Sequence, residues 1–300
     1  MKIAAVIVTY NRLYLLKEVL EAFDNQTRVP DYIIIVNNAS TDGTEAFLEE
    51  WKKTEIKGQT KFVITPEENL GGSGGFYIGT ERALSLDADW VWVSDDDAIP
   101  DRDVFEKAEK HILTINAEKV SAICTCVKTD GKIALSNRSK RIMRFLNMKI
   151  EHIPEEIYSK EVFECDHFSY VGVLMNSGIL RKVGLIHKEY FIWRDDVEHS
   201  WRLSEKGIIY CYPDMCVNHK IKKVDYEGVS WKTYYGYRND MLMFREHRKP
   251  IYFLTKVIAA FWKSRKEKTH ETRRLYLDAI KAGCIGETGK NKKYLPGTKL

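Results

Sequence analysis

Three consecutive acids, Asp95, Asp96 and Asp97, stand directly behind the apolar run Val91-Trp92-Val93. Carboxylates crowded at the end of a buried element repel one another and cost stability unless a cation or a donor neutralises them. A hard divalent ion, Mg2+ or Mn2+, meets that need, because it prefers carboxylate oxygens, waters and phosphate oxygens to a closed protein cage. A solvated turn capping the next helix would use the same residues. One element earlier, residues 69–76 read NLGGSGGF. That stretch fits neither GxxxxGK[ST] nor GxGxxG, so neither a P-loop ATPase nor a dinucleotide dehydrogenase is supported. Its glycines would let a diphosphate or a sugar approach the backbone closely, or would serve only a tight turn. Acids behind one strand and a glycine-rich loop behind the strand before it point to metal plus phosphate.

The elements that must position these loops are legible in the first half of the chain. Strand-like runs at 3–8, 32–36, 61–64 and 90–93 alternate with helical patterns at 13–23, 44–53 and 76–86. Short β runs separated by helices of that length indicate βαβ units and a parallel sheet covered on both faces. The fold class is therefore α/β, doubly wound and Rossmann-like. Ligands of such sheets sit beyond the carboxyl ends of the strands. Four polar loops lie there: 9–12, 37–43, 68–75 and 94–97. Residues 120–160 are less regular, and the basic segment 138–144 reads as a surface helix or a mobile loop. Strand patterns return at 168–175 and 207–211, with a helical turn near 177–183 between them and the acidic stretch 193–203. From 231 onwards the chain reads as helical, aromatic and basic.

Composition excludes several classes. A chain of 300 residues with 44% hydrophobic and 30% charged residues is long enough for a substantial core and is neither disordered nor a coiled coil. A net charge of +4 does not argue for nucleic acid. The six cysteines contain no C-x-x-C pair, so they read as reduced, mostly buried thiols of a cytosolic protein and a zinc site is not expected. The N-terminal apolar run is too short for a signal peptide, and no window approaches the ~18 uninterrupted apolar residues of a spanning helix.

The order and spacing of AVIVTYNR (5–12), VNNASTDG (36–43), NLGGSGG (69–75) and DDD (95–97) resemble the nucleotide-binding half of inverting family 2 glycosyltransferases with the GT-A fold. FSYVGVLMNSGILRKVGL (168–185) and YFIWRDDVEHSWRL (190–203) are similar to the family's acceptor-side segment. The resemblance covers roughly residues 3–240. Within the family, the GGSGGF loop and the triple aspartate look most like bacterial galactofuranosyltransferases and the related rhamnosyltransferases, and the tail stretches 234–239 and 278–290 also resemble those enzymes. The implied organisation is a GT-A domain over 1–230, with a nucleotide-binding half at 1–118 and an acceptor-binding half at 119–230, followed by a helical, basic region over 231–300.

This resemblance implies roles. Thr9, Tyr10, Arg12, Asn38 and Asp42 would surround the base and ribose; Asn38 stands where the family usually has an acid, and an amide still both donates to and accepts from a pyrimidine edge. Asn69, Gly71, Gly72, Gly74 and Gly75 would line the donor sugar. Asp95, Asp97 and His219 would hold Mn2+ or Mg2+ on the diphosphate, with Asp96 facing the ribose or sugar; a lone histidine also has a purely structural reading. Asp196 matches the family's general base, which takes the acceptor hydroxyl's proton. Asp195 and Glu198 would orient the acceptor or the base, and Arg202 would pair with them or contact the acceptor. The same acids are favourable in the first turn of a helix, and both readings can hold at once. Trp193 is a candidate platform under an acceptor sugar, whereas Trp201 suits the core equally well.

The implied function is transfer of galactofuranose from UDP-galactofuranose to a hydroxyl of a growing, lipid-linked cell-surface glycan, in the cytoplasm at the inner face of the plasma membrane. A dTDP-rhamnose donor is the alternative, and a non-catalytic glycan-binding or scaffold protein is the alternative of another class. A nucleotidyltransferase would want a basic loop after the first strand, and TYNRLY (9–14) is poor in lysine. Residues 251–268 combine apolar and interfacial aromatic positions with a basic end; they read either as a helix lying on an anionic leaflet or as a bundle or oligomer contact.

Overall fold

The computed structural model describes residues 1–220 and 228–298. Its strands are β1 Ile3–Thr9, β2 Tyr32–Asn37, β3 Thr60–Ile64, β4 Trp90–Asp95, β5 Ala98–Pro100, β6 Val120–Thr129, β7 Lys132–Ile133, β8 Arg138–Met143, β9 Met148–His152, β10 Phe163–Cys165, β11 His167–Phe168, β12 Val171–Asn176 and β13 Ile208–His219. Its α-helices are α1 Leu13–Asp24, α2 Thr44–Trp51, α3 Gly71–Ser85, α4 Val104–Thr114, α5 Ser177–Val183, α6 Asp195–Ser204, α7 Trp231–Glu246, α8 Pro250–Lys266 and α9 His270–Ile285.

Among the described residues the main sheet runs in the order β10-β13-β6-β12-β4-β1-β2-β3. The half built from β1 to β4 is parallel, as its βαβ spacing requires. Beside it β12 lies antiparallel to both β4 and β6, which makes the whole sheet mixed. Side-chain alternation then builds two cores. Ala4, Val6, Val8, Val91 and Val93 face one layer, and Ile3, Ala5, Ile7, Trp90 and Trp92 face the other. Nearly every residue of β1 and β4 is apolar because both faces are covered.

The glycine-rich stretch is the first turns of α3 rather than a loop ahead of a helix starting at Phe76. Gly75 and Gly79 lie on the sheet-facing side, where an added Cβ would come within 2.6 Å of Val8 and 2.3 Å of Val6. Helix and sheet approach more closely there than side chains would allow.

The basic segment 138–144 is β8, in a second sheet ordered β11-β8-β9, and not a surface helix or a mobile loop. Arg138 is fully buried, and its guanidinium donates to the carbonyls of Thr125, Asn137 and Val171 at 2.7–3.1 Å. A charge pattern read as solvated hid this residue, whose guanidinium satisfies carbonyls brought together from β6, β12 and the turn before β8. The C-terminal helices pack on one another, and α7 also packs on the segment ahead of α6: Tyr234 and Tyr235 cluster with Phe191, Tyr276 and Tyr294.

Candidate active site

The turn between β4 and β5 carries Asp95, Asp96 and Asp97, and β5 pairs antiparallel with the end of β13 so that His219 faces Ala98. That pairing brings the histidine back to the acids across 122 residues of sequence. The Nε2 of His219 lies 3.0 Å from Asp97 Oδ1, and Asp95, Asp97 and His219 can offer ligand atoms all within 4.8 Å of one another. The Nδ1 of His219 is buried without a hydrogen-bond partner among the described residues. Two carboxylates and an imidazole with an unsatisfied nitrogen fit a divalent cation, and the imidazole suits Mn2+ better than Mg2+.

Asp96 points elsewhere. It accepts from Thr9 Oγ1 at 2.6 Å and from Arg12 at 3.2 Å, and Arg12 also reaches Asp97 at 2.8 Å. Burial, then the neighbouring Asp97, pushes Asp95 up to about 7. Burial also raises Asp96, to about 6, against the opposing pull of Arg12 and Thr9. Burial would raise Asp97 as well, but His219 and then Arg12 outweigh it and leave that carboxyl below its ordinary value. One arginine and one histidine therefore do not fully neutralise three acids, and the electrostatic case for a further cation stands on that deficit.

Two adjoining cavities meet at Asp95. The first, about 460 Å³, is lined by Thr9, Tyr10, Arg12, Asn38, Asn69, Gly71, Gly72 and Asp96, together with Phe191 and Trp231. The second, about 690 Å³, is lined by Asp97, His219, Trp193, Arg194, Asp195 and Asp196, with Tyr170 on one wall. Asn38 bridges into the glycine turn, its amide donating to Gly71 O and accepting from Leu70 N. Asp42 accepts from the N–H of Leu13 and from Thr44, so it ties the starts of α1 and α2 together and lines neither cavity. Gly74 and Gly75 are likewise set against Leu70 and Val8 rather than in either cavity.

The second acidic group sits at the start of α6, behind a strained approach. Phe191, Trp193 and Arg194 all have φ between 64° and 71°, a region non-glycine residues avoid at a cost of ~1–3 kcal/mol each. Helix α7 holds them there. The Nδ2 of Asn239 lies 2.8–3.0 Å from the carbonyls of Tyr190, Ile192 and Trp193, and Arg238 donates to Tyr190 O at 3.0 Å. Gly71 adds a constraint from the first cavity, since a Cβ on it would fall 2.0 Å from Phe191 O and its φ is +74°. Ser73 in turn donates to Asp195 Oδ2 at 2.8 Å.

Asp196 faces the second cavity, and burial, then Asp195, pushes it up to about 7. Asp195 is raised by burial too, against the opposing bond from Ser73. Glu198 and Arg202 are set back from both cavities. Two residues on from Asp196 is a rotation of roughly 200° about a helix axis. There Arg202 Nε donates to both Glu198 oxygens at 2.8 and 2.9 Å, and its remaining nitrogens reach the carbonyls of Val183, Gly184 and Leu185. Burial alone would raise Glu198, but His187, His247 and Arg202 outweigh it and hold the carboxyl far below its usual range. Trp201 is a core residue stacked on His247 at 3.9 Å. Trp193 lines the second cavity, with Gly236 leaving room for its ring.

Sequence reasoning did not single out Ser73, Phe191, Tyr170, Trp231 or the Arg238-Asn239 pair for the site. Ser73, Tyr170, Phe191 and the Arg238-Asn239 pair do lie inside the quoted motifs NLGGSGG (69–75), FSYVGVLM (168–175), YFIWRDD (190–196) and YYGYRN (234–239), whereas Trp231 lies in none.

Comparison with known proteins places this geometry. The model for Glycosyl transferase family 2 matches residues 4–177. Galactofuranosyltransferase GlfT1 of Mycolicibacterium smegmatis is 26% identical over 253 residues, 79% of this chain and 81% of that protein. Its namesake from Mycobacterium tuberculosis is 27% identical over 255 residues, 78% of this chain and 79% of that protein. The fold is similar to that of GalNAc-T7 solved with UDP, GalNAc and Mn2+, with a TM-score of 0.67 at 13% identity over 95% of this chain but only 56% of that one. It is also similar to Staphylococcus aureus TarS 1-349 in complex with UDP-GlcNAc, with a TM-score of 0.61 at 15% identity over 94% and 81% of the two chains. The mixed sheet with its C-terminal helices is thus a GT-A architecture, and the chain belongs to glycosyl transferase family 2.

Proposed function

We propose that the chain transfers galactofuranose from UDP-galactofuranose to a hydroxyl of a growing, lipid-linked cell-surface glycan, with inversion at the anomeric carbon. The observation that carries this reading is the shared wall at Asp95: a cavity edged by Thr9, Tyr10, Arg12 and the glycine turn opens onto one edged by Asp196. The galactofuranosyltransferase relatives favour UDP-galactofuranose over dTDP-rhamnose as donor.

In this reading Tyr10 and Asn38 bound the nucleoside, while Asn69, Gly71 and Gly72 lie along the diphosphate and sugar. Asp95, Asp97 and His219 would hold Mn2+, which when bound supplies positive charge to the leaving diphosphate. Arg12 keeps Asp96 and Asp97 in place from the opposite side. Asp196 takes the acceptor hydroxyl's proton as the oxygen bonds to the anomeric carbon and the bond to the diphosphate breaks. A base held near neutrality suits that step, because it can be ionised at working pH yet still accept a proton. Asp195, fixed by Ser73, keeps a second negative charge beside it, and Trp193 offers a ring face to an acceptor sugar.

The test is a thermal titration of the purified chain with UDP, dTDP and GDP, each with and without Mn2+. Ligand at a hundred times its dissociation constant stabilises by about 2.7 kcal/mol. The expected result is stabilisation by UDP that needs Mn2+ and is absent in Asp97→Ala. A preference for dTDP moves the donor to rhamnose, and no response to any nucleotide overturns the reading.

A further inference from the structure

Helix α8 buries very little of itself. Ala260 and Ser264 are its fully packed positions, and roughly 130° around the helix a second, apolar stripe faces outwards. Ile251, Leu254, Ile258, Phe261 and Trp262 recur at helical spacing along it and are 46–60% exposed. The stripe continues onto the β8–β9 hairpin, whose tip carries Phe145 at 84% exposure and Leu146 at 58%. Tyr252 fixes that tip beside the start of α8 by donating to Arg144 O at 2.6 Å. Side chains of this size lose several kcal/mol of transfer free energy by standing in water, so a contiguous patch of them marks a contact surface.

Charge identifies what the surface meets. Between Glu246 and Glu267 the sequence holds no acid, while Arg248, Lys249, Lys256, Lys263, Arg265 and Lys266 are all basic. Lys256 is paired with Asp240. Among the described residues Lys263, Arg265 and Lys266 make no ion pair with any acid, and they crowd the last turn beside Trp262. A two-fold contact between copies would bring this basic face against itself, which is repulsive. No helix among the described residues is long and apolar enough to cross a membrane.

We propose that α8 and the 144–147 hairpin tip form a docking surface for an anionic lipid bilayer, with the helix lying in the plane of the headgroups. Phe145, Leu254, Ile258, Phe261 and Trp262 enter the boundary of the acyl chains, and the basic last turn meets lipid phosphates. Apolar burial and attraction to anionic headgroups act together in this geometry.

The test is flotation of the full chain with vesicles of phosphatidylcholine alone and of phosphatidylcholine mixed with phosphatidylglycerol. Binding is expected on the mixed vesicles, weakened by added salt. Leu254→Ser combined with Trp262→Ser, and separately Lys263→Gln with Arg265→Gln and Lys266→Gln, should each weaken it at least about tenfold. These positions are exposed, so the variants should melt with the parent chain and keep its response to UDP and Mn2+. Absence of binding to anionic vesicles, or binding indifferent to both sets of substitutions, overturns the proposal. So does a concentration-dependent dimer that the Leu254→Ser and Trp262→Ser pair abolishes in the absence of lipid.

Discussion

Asp196 and Asp95 share one physical situation, a carboxyl taken out of water beside another carboxyl, and chemistry separates their fates. Asp95 shares a candidate cation site with Asp97 and His219, whereas at Asp196 the N–H of Val197 at 2.7 Å and the charge of Arg194 only partly offset burial and Asp195, which push the carboxyl up to about 7. In the proposed role of general base Asp196 must be ionised, so kcat/KM at saturating Mn2+ should fall tenfold per pH unit below about pH 7 and level off above it. A profile flat down to pH 5 would remove Asp196 from that role. The three adjacent acids and the glycine turn stood out in the sequence by their place behind strand-like runs, whereas the Asp195-Asp196 pair stood out through the family resemblance of YFIWRDDVEHSWRL (190–203). Glu198 and Arg202 were not separable from them by spacing alone. Only the direction in which each side chain leaves α6 shows that Arg202 reaches the Val183–Leu185 carbonyls and that Glu198 faces Arg202, His187 and His247.

At the scale of elements, the first four strands and their loops followed from alternation and punctuation, and β8 and β6 did not. Arg138 is buried because its guanidinium satisfies carbonyls contributed by distant strands, and that compensation leaves no local pattern. The same holds for α7, whose Asn239 holds a segment some 46 to 49 residues earlier in the chain. Asn239→Ala removes these bonds, each worth about 0.5–1.5 kcal/mol, and frees Trp193 and Arg194 to relax. Turnover should drop at least about tenfold, by analogy with misplaced catalytic groups, while UDP stabilisation with Mn2+ stays as in the parent chain. Equal loss of nucleotide response and turnover would mean that the substitution damages the whole fold instead of the approach to α6.

Across the whole molecule, the C-terminal helices help to hold α6 as well as following it in the chain. The Glu198 cluster joins α6 to His187 before it and His247 at the end of α7. Removing one partner of such a buried ionic group costs roughly 3–5 kcal/mol, so Glu198→Gln should melt well below the parent chain. Its folded pKa is depressed below the unfolded value of 4.5, so its stabilisation is full above that value and is lost as pH falls further. The gap between parent and variant melting temperatures should therefore close on acidification below about pH 4.5, and a gap that stayed constant would exclude an ionic origin.

The proposed base role of Asp196 is tested most directly by a paired assay of Asp196→Asn, scoring UDP and Mn2+ binding by thermal shift and sugar transfer by release of UDP in the presence of acceptor. The expected result is an unchanged thermal shift and transfer reduced by about 10²–10⁴-fold, the usual contribution of a general base. Transfer at the parent rate with binding intact would contradict it.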